Sequence, residues 1–182
     1  FLDTFSEGWF VLGVLGLAYA SAAEAGRPPV LWPVLVAGVG IPFAFASALP
    51  AGFVTPLWQG LGSFSGATVA LGLLGATAVL WRQRGACRLA LLWRVALALL
   101  VLKAVGQFAV AVAPGAGWAE LHGLRILYLH LMLLGFATLG LFAAAEAEFR
   151  AIGHAGLLAM AVAVAVLITT LVPLTHLWPD TL

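Results

Sequence analysis

The chain has 182 residues, 64% of them hydrophobic and 8% charged, whereas a soluble domain carries about a quarter of its residues as charge. That excludes a soluble globular fold, and a net charge of +1 on eight scattered Lys and Arg excludes the basic face that nucleic acid requires. A lone Cys87 excludes an internal disulfide framework and a zinc site built on a cysteine pair.

Six apolar runs follow in chain order, at residues 8–23, 30–49, 60–81, 89–113, 125–145 and 155–178. About 20 apolar residues cross the ~30 Å hydrocarbon layer, and lipid cannot satisfy open backbone groups, so each run is expected to be a helix. The expected fold class is all-α: one polytopic transmembrane domain over 1–182, a bundle of about six helices whose first partner is the lipid bilayer. The first run is short and is expected to begin earlier, near Thr4, with Glu7 at the membrane surface or facing protein. The sequence opens on Phe1 with no positively charged leader, so further chain is expected upstream and six helices is a minimum.

Pro33 and Pro42 in the second run and Pro173 in the sixth remove backbone donors, and kinks are expected there. Gly62 with Gly66, and Ala155, Ala159 and Ala163, have the small-residue spacing that lets helices approach in lipid. Packing faces within one bundle are the plain reading of both, and an oligomer interface is the alternative. No Gly-rich phosphate loop, Ser/His/Asp arrangement or Cys-x-x-Cys motif is present.

Short cytoplasmic loops retain Lys and Arg. Arg27, Arg82, Arg84, Arg88, Arg94 and Arg150 gather on one side, while the other has Arg125 with Asp3, Glu7, Glu120 and Asp180. This places both ends of the sequence outside the cytoplasm of a bacterial inner membrane. All seven Trp are expected at the headgroup level: Trp9, Trp58, Trp118 and Trp178 at outer helix ends, Trp32, Trp81 and Trp93 at inner ends.

An ionisable side chain at the bilayer centre costs roughly 3 kcal/mol or more, which makes Lys103 the most informative residue. It lies about ten residues, roughly 15 Å, inward from the outer end of the fourth run, with Gln107 one turn away on the same face. The pair is expected to point into the bundle or a hydrated cavity. Its functional reading is a proton or anion path, or a counter-charge for a bound group. The structural reading is a lysine held by a carbonyl or by an acid such as Glu7.

His122, His130 and His176 fall on the outer side and His154 on the inner side, where an interfacial role suffices. His130 and His176 lie at similar depths. If their faces converge, they are candidates for axial haem ligation or a copper site, with His122 in reach, Arg125 for a haem propionate or other anion, and Tyr128 and Gln107 supporting. Paired histidines on two helices, as in four-helix b-type cytochromes, are absent. Glu120, Glu146 and Glu148 read as solvated loop acids, and no buried carboxylate pair points to hydrolysis.

The run Lys103-x-x-x-Gln107, then Arg125-Ile-Leu-Tyr128-Leu-His130-Leu-x-Leu-Leu-Gly135-Phe136, resembles poorly characterised polytopic membrane proteins of Bacteroidetes-type bacteria, whose layout is distantly similar to the haem-copper oxidase class. The likeness covers roughly the last two thirds of the chain. It implies a polar motif of Lys103, Gln107, Tyr128 and His130, and an upstream helix carrying His-x-His before Gly-Trp. Gly8-Trp9 is present but no His-x-His occurs in these 182 residues.

The leading expectation is an integral membrane protein with a polar intramembrane site, binding haem or copper near the outer face in a redox or respiratory role. One rival is a proton or small-solute transporter, favoured by the midplane lysine and the Gly and Pro interruptions. Another is a non-catalytic accessory subunit assembled with other membrane subunits.

Overall fold

In a chain this apolar, backbone groups have to be satisfied within each segment. The computed structural model, which describes residues 6–49, 53–83, 90–113, 122–149 and 154–174, holds six helices and no strand among them. Helix α1 opens as a π-helix, Ser6–Val11, and continues as an α-helix over Leu12–Glu24. Helix α2 is α-helical over Trp32–Gly40 and 3₁₀ over Ile41–Ala48. Helix α3 spans Pro56–Gln83 and α4 spans Ala90–Val112. Helix α5 is α-helical over His122–His130, π-helical over Leu131–Thr138 and α-helical again over Leu139–Phe149. Helix α6 spans His154–Leu171 with a 3₁₀ turn at Val172–Leu174.

Three stretches, Pro56–Gln83, Leu92–Val112 and Ile126–Ala145, are long and apolar enough to cross a membrane, and Gly8–Glu24, Trp32–Ser47 and Leu158–Leu171 are shorter apolar helices. The molecule is a helical membrane protein. All six expected segments are helices, with shifted ends. α3 begins at Pro56 rather than 60, since a proline at a first helical position lacks only a donor that would be orphaned anyway. α5 begins at His122 rather than 125 and continues to Phe149. α1 extends back to Ser6, before the run that marked it.

The core is drawn mainly from α1, α3, α4 and α5: Leu15, Leu73, Leu80, Leu97, Leu100, Met132, Phe136 and Leu139 are fully buried. Helix α2 joins this core at a seam with α3 where glycine sets the distance. A Cβ on Gly72 would stand 2.5 Å from the Ala37 nitrogen and 2.6 Å from the Pro33 carbonyl oxygen, so the two backbones touch. Ser65 Oγ donates to Gly40 O at 2.9 Å across the same seam. α1 ends in a Schellman motif: Gly26 adopts φ +75°, Gly26 N–H donates to Ala23 O at 2.9 Å and Arg27 N–H to Ala22 O at 3.0 Å.

Several expectations need correction. Pro33 does not kink α2, because it lies in the first turn, where no i→i−4 bond is lost. Pro42 falls where α2 tightens to 3₁₀, and Pro173 lies within the closing 3₁₀ turn of α6. Trp93 is 1% exposed and belongs to the core. It is near the start of α4, but its ring faces protein rather than headgroups. Trp9, Trp32 and Trp81 are exposed as the belt requires. Trp58 meets Phe45 edge-on, with ring centroids 5.7 Å apart, while Trp118 and Trp178 lie outside the described residues. Gly62 packs on Ser47 of α2 and Gly66 on Ala111 of α4, so that glycine pair serves two partners inside the bundle. Ala155, Ala159 and Ala163 are exposed rather than set into a packing face among the described residues.

Candidate functional site

Past Arg94, α4 carries two polar side chains, Lys103 and Gln107. Lys103 is about 20 Å from the Ala90 end and about 14 Å from the Val112 end at 1.5 Å per residue, which places it in the middle third of the helix. It is 1% exposed and is the only charged side chain in the core among the described residues; the other buried polar ones are Ser65 and Thr77.

Its neighbours account for how an ammonium is held there. Nζ donates to Gln107 Oε1, one turn along the same face. Tyr128 Oη, from α5, donates to the same oxygen at 3.3 Å, so both lone pairs of the Gln107 amide oxygen are engaged. The Tyr128 ring lies 5.4 Å from Nζ, centroid to nitrogen, within the range where the π face attracts a cation. Depths agree as well: Gln107 is about 8 Å from the end of α4 and Tyr128 about 9 Å from the start of α5.

Close backbone approach brings α3 and α5 onto α4. A Cβ on Gly135 would stand 2.8 Å from Leu99 Cδ1, and one on Gly66 would stand 2.9 Å from Ala111 Cβ. The π-helical stretch Leu131–Thr138 begins three residues after Tyr128. There Thr138 Oγ1 donates to Leu133 O at 2.9 Å, five residues back, occupying a carbonyl of the widened turn. The other π-helical stretch, Ser6–Val11, packs against this one. Such widened turns are rare and recur at functional sites.

His130 departs from the expected grouping. It follows Tyr128 by two positions, about 200° around an α-helix, so it projects from roughly the opposite side of α5. Its Nδ1 lies 2.8 Å from Ile126 O. A carbonyl oxygen only accepts, so Nδ1 carries a proton, and in the neutral ring Nε2 then holds the lone pair, the arrangement a ligating imidazole uses. Among the described residues no three His, Cys, Asp or Glu gather into a metal-sized group. His176 lies outside the described residues, as do the side chains of His122, Arg125 and His154. The described residues therefore supply a single imidazole toward haem or copper.

Two buried hydroxyls passed unnoticed in the sequence. Thr77 Oγ1 and Tyr19 Oη are buried without a hydrogen-bond partner among the described residues. A hydroxyl in an apolar helix gives no sequence signal, because it ordinarily bonds to a carbonyl one turn back, as Ser21, Thr68, Thr169 and Thr170 do here.

No protein-family model, no curated protein and no solved structure matches the chain.

Proposed function

We propose that this chain is a multi-pass protein of a bacterial inner membrane that moves protons or a small solute through its bundle, with the Lys103–Gln107–Tyr128 cluster as its working site. The observation that carries the reading is the wholly buried Lys103 ammonium, bonded to Gln107 and faced by Tyr128 near the middle of α4. A cation at that depth is costly and contributes little to stability compared with an apolar side chain of similar length. Its retention is accounted for by work that needs a charge or an exchangeable proton. Nζ supplies both, Gln107 fixes its position, and Tyr128 Oη adds a hydroxyl toward the α5 start. Both ends of the sequence are assigned to the non-cytoplasmic side on the Arg asymmetry of the loops.

The test is proton uptake into proteoliposomes holding the full chain and a pH-reporting dye, driven by an imposed potential. Wild-type protein should acidify the lumen well above protein-free vesicles, and Lys103→Met should return the rate to that background. Equal rates for wild type and Lys103→Met would refute the assignment of Lys103.

A second reading is favoured by one separate observation, the contact of His130 Nδ1 with Ile126 O, which in the neutral ring leaves the lone pair on Nε2. In it, His130 is one ligand of a haem or copper near the outer face, with His176 and His122 as the candidate partners and Arg125 for a propionate. The bound group would supply electron transfer, and the chain would supply an oriented imidazole. Oxidised and dithionite-reduced spectra with metal analysis decide it: a Soret band or stoichiometric copper lost in His130→Ala supports this reading, and a featureless spectrum removes it. The likeness to Bacteroidetes-type membrane proteins, distantly haem-copper-oxidase-like, is proposed on the same footing.

A further inference from the structure

On the Arg82 side of the bundle, α3 and α4 diverge into a groove of about 390 Å³ lined by Leu74, Thr77, Ala78, Trp81, Ala98 and Val101. The four α3 residues recur at the i, i+3, i+4, i+7 spacing of one helix face, and Ala98 and Val101 present one face of α4. The lining is aliphatic apart from the Trp81 indole and the Thr77 hydroxyl. Thr77 is 3% exposed, and its Oγ1 has no hydrogen-bond partner among the described residues.

The depth of each group along α3 identifies the occupant. A helix of 28 residues is about 42 Å long, so centred on a ~30 Å hydrocarbon layer it projects about 6 Å into each headgroup region. Thr77 is six residues from the Gln83 end, and so about 3 Å inside the hydrocarbon boundary, the level of the ester carbonyls. Trp81 and the exposed Arg82 lie outside that boundary, at the level of the phosphates. Leu74 lies a further turn down, and Val101, eleven residues from the Ala90 end of α4, lies near the midplane. The order basic, indole, hydroxyl, aliphatic matches that of phosphate, glycerol, ester and acyl chain in one leaflet.

We infer that this groove is a binding site for a single phospholipid of the Arg82-side leaflet. Arg82 meets its phosphate, Thr77 donates to an ester carbonyl, and Leu74, Ala78, Ala98 and Val101 receive the upper part of an acyl chain. In the structure Oγ1 is buried, so it meets an ester carbonyl only after turning toward the groove. Donation requires one staggered step about χ1, and a helical threonine populates two χ1 wells. The inference rests on the membrane assignment and is independent of transport through Lys103.

The experiment is native mass spectrometry of the full chain, reconstituted in equal parts phosphatidylethanolamine and phosphatidylglycerol and released into mild detergent. Wild type should retain one phospholipid. Ala98→Trp, which fills the groove, should lose it. Thr77→Val should retain it about five-fold less, the worth of one hydrogen bond, and Arg82→Gln should discriminate less between the two lipids. Lys103→Met should retain the lipid unchanged, which separates this site from the transport site. If Ala98→Trp does not fold, the isosteric Thr77→Val decides alone. A wild type without phospholipid, equal retention by folded Thr77→Val and wild type, or an isoprenoid quinone in place of the phospholipid overturns the inference.

Discussion

Two helix seams of this bundle solve opposite problems. Between α2 and α3, glycine brings backbones into contact: a Cβ at Gly72 would meet main-chain atoms of Ala37 and Pro33, and Ser65 closes the seam onto Gly40 O. Between α4 and α5, a Cβ at Gly135 would meet the side chains of Leu99 and Ile168 rather than backbone, and further along the seam stand Lys103, Gln107 and Tyr128. Beyond the small side chains of Ser65 and Ala37 the first seam has no room for a ligand, and what it contributes is rigidity. The second keeps polar groups in the core at a cost the first avoids. Small residues in a membrane helix thus mark where backbones meet, and a polar side chain opposite one of them marks where the bundle is kept open.

The comparison can be broken most severely at the closed seam. Gly72→Leu forces the side chain into backbone that cannot yield, and overpacking of this kind costs about 3 kcal/mol; thermal unfolding in detergent should show a chain that no longer melts cooperatively. At the open seam, Gln107→Leu removes the acceptor of two donors, a loss of about 2 kcal/mol, visible as a lower melting temperature that Gln107→Glu restores. Gly26→Ala, outside both seams, places a Cβ at φ +75° and should cost about 1 kcal/mol. The smallest effect is expected at Tyr128→Phe, whose 3.3 Å bond is long and worth about 0.5 kcal/mol; a shift as large as that of Gln107→Leu would show that Tyr128 holds the cluster more firmly than its geometry implies.

The sequence made the fold legible because length and apolarity alone decide where a chain can cross lipid, and all six runs became helices. It misled where orientation mattered. Trp93 lies near the end of a helix but faces the core, since position along a helix does not specify the side on which a ring emerges. Ala155, Ala159 and Ala163 had the right spacing for packing, yet α6 turns them outward. The π-helical turns in α1 and α5 carry no proline, and their glycines, Gly8 and Gly135, do not set them apart from the other glycine-bearing helices.

Within the site, Lys103 and Gln107 were paired by their four-residue spacing, which holds within any α-helix. Tyr128 joins them from another helix, a juxtaposition that no spacing predicts; the sequence placed it beside Gln107 only as a supporting group for a histidine site. The likeness to a known motif grouped His130 with them, but two positions on a helix point opposite ways.

The most direct test of the central claim sets flux against fold in Lys103→Met. The account predicts that proton uptake falls to the protein-free background while the melting temperature is unchanged or higher, because a buried charge has been replaced by an apolar side chain of similar length. Uptake at the wild-type rate from an equally stable variant would contradict it, and would leave Lys103 a structural residue in a bundle whose work lies elsewhere.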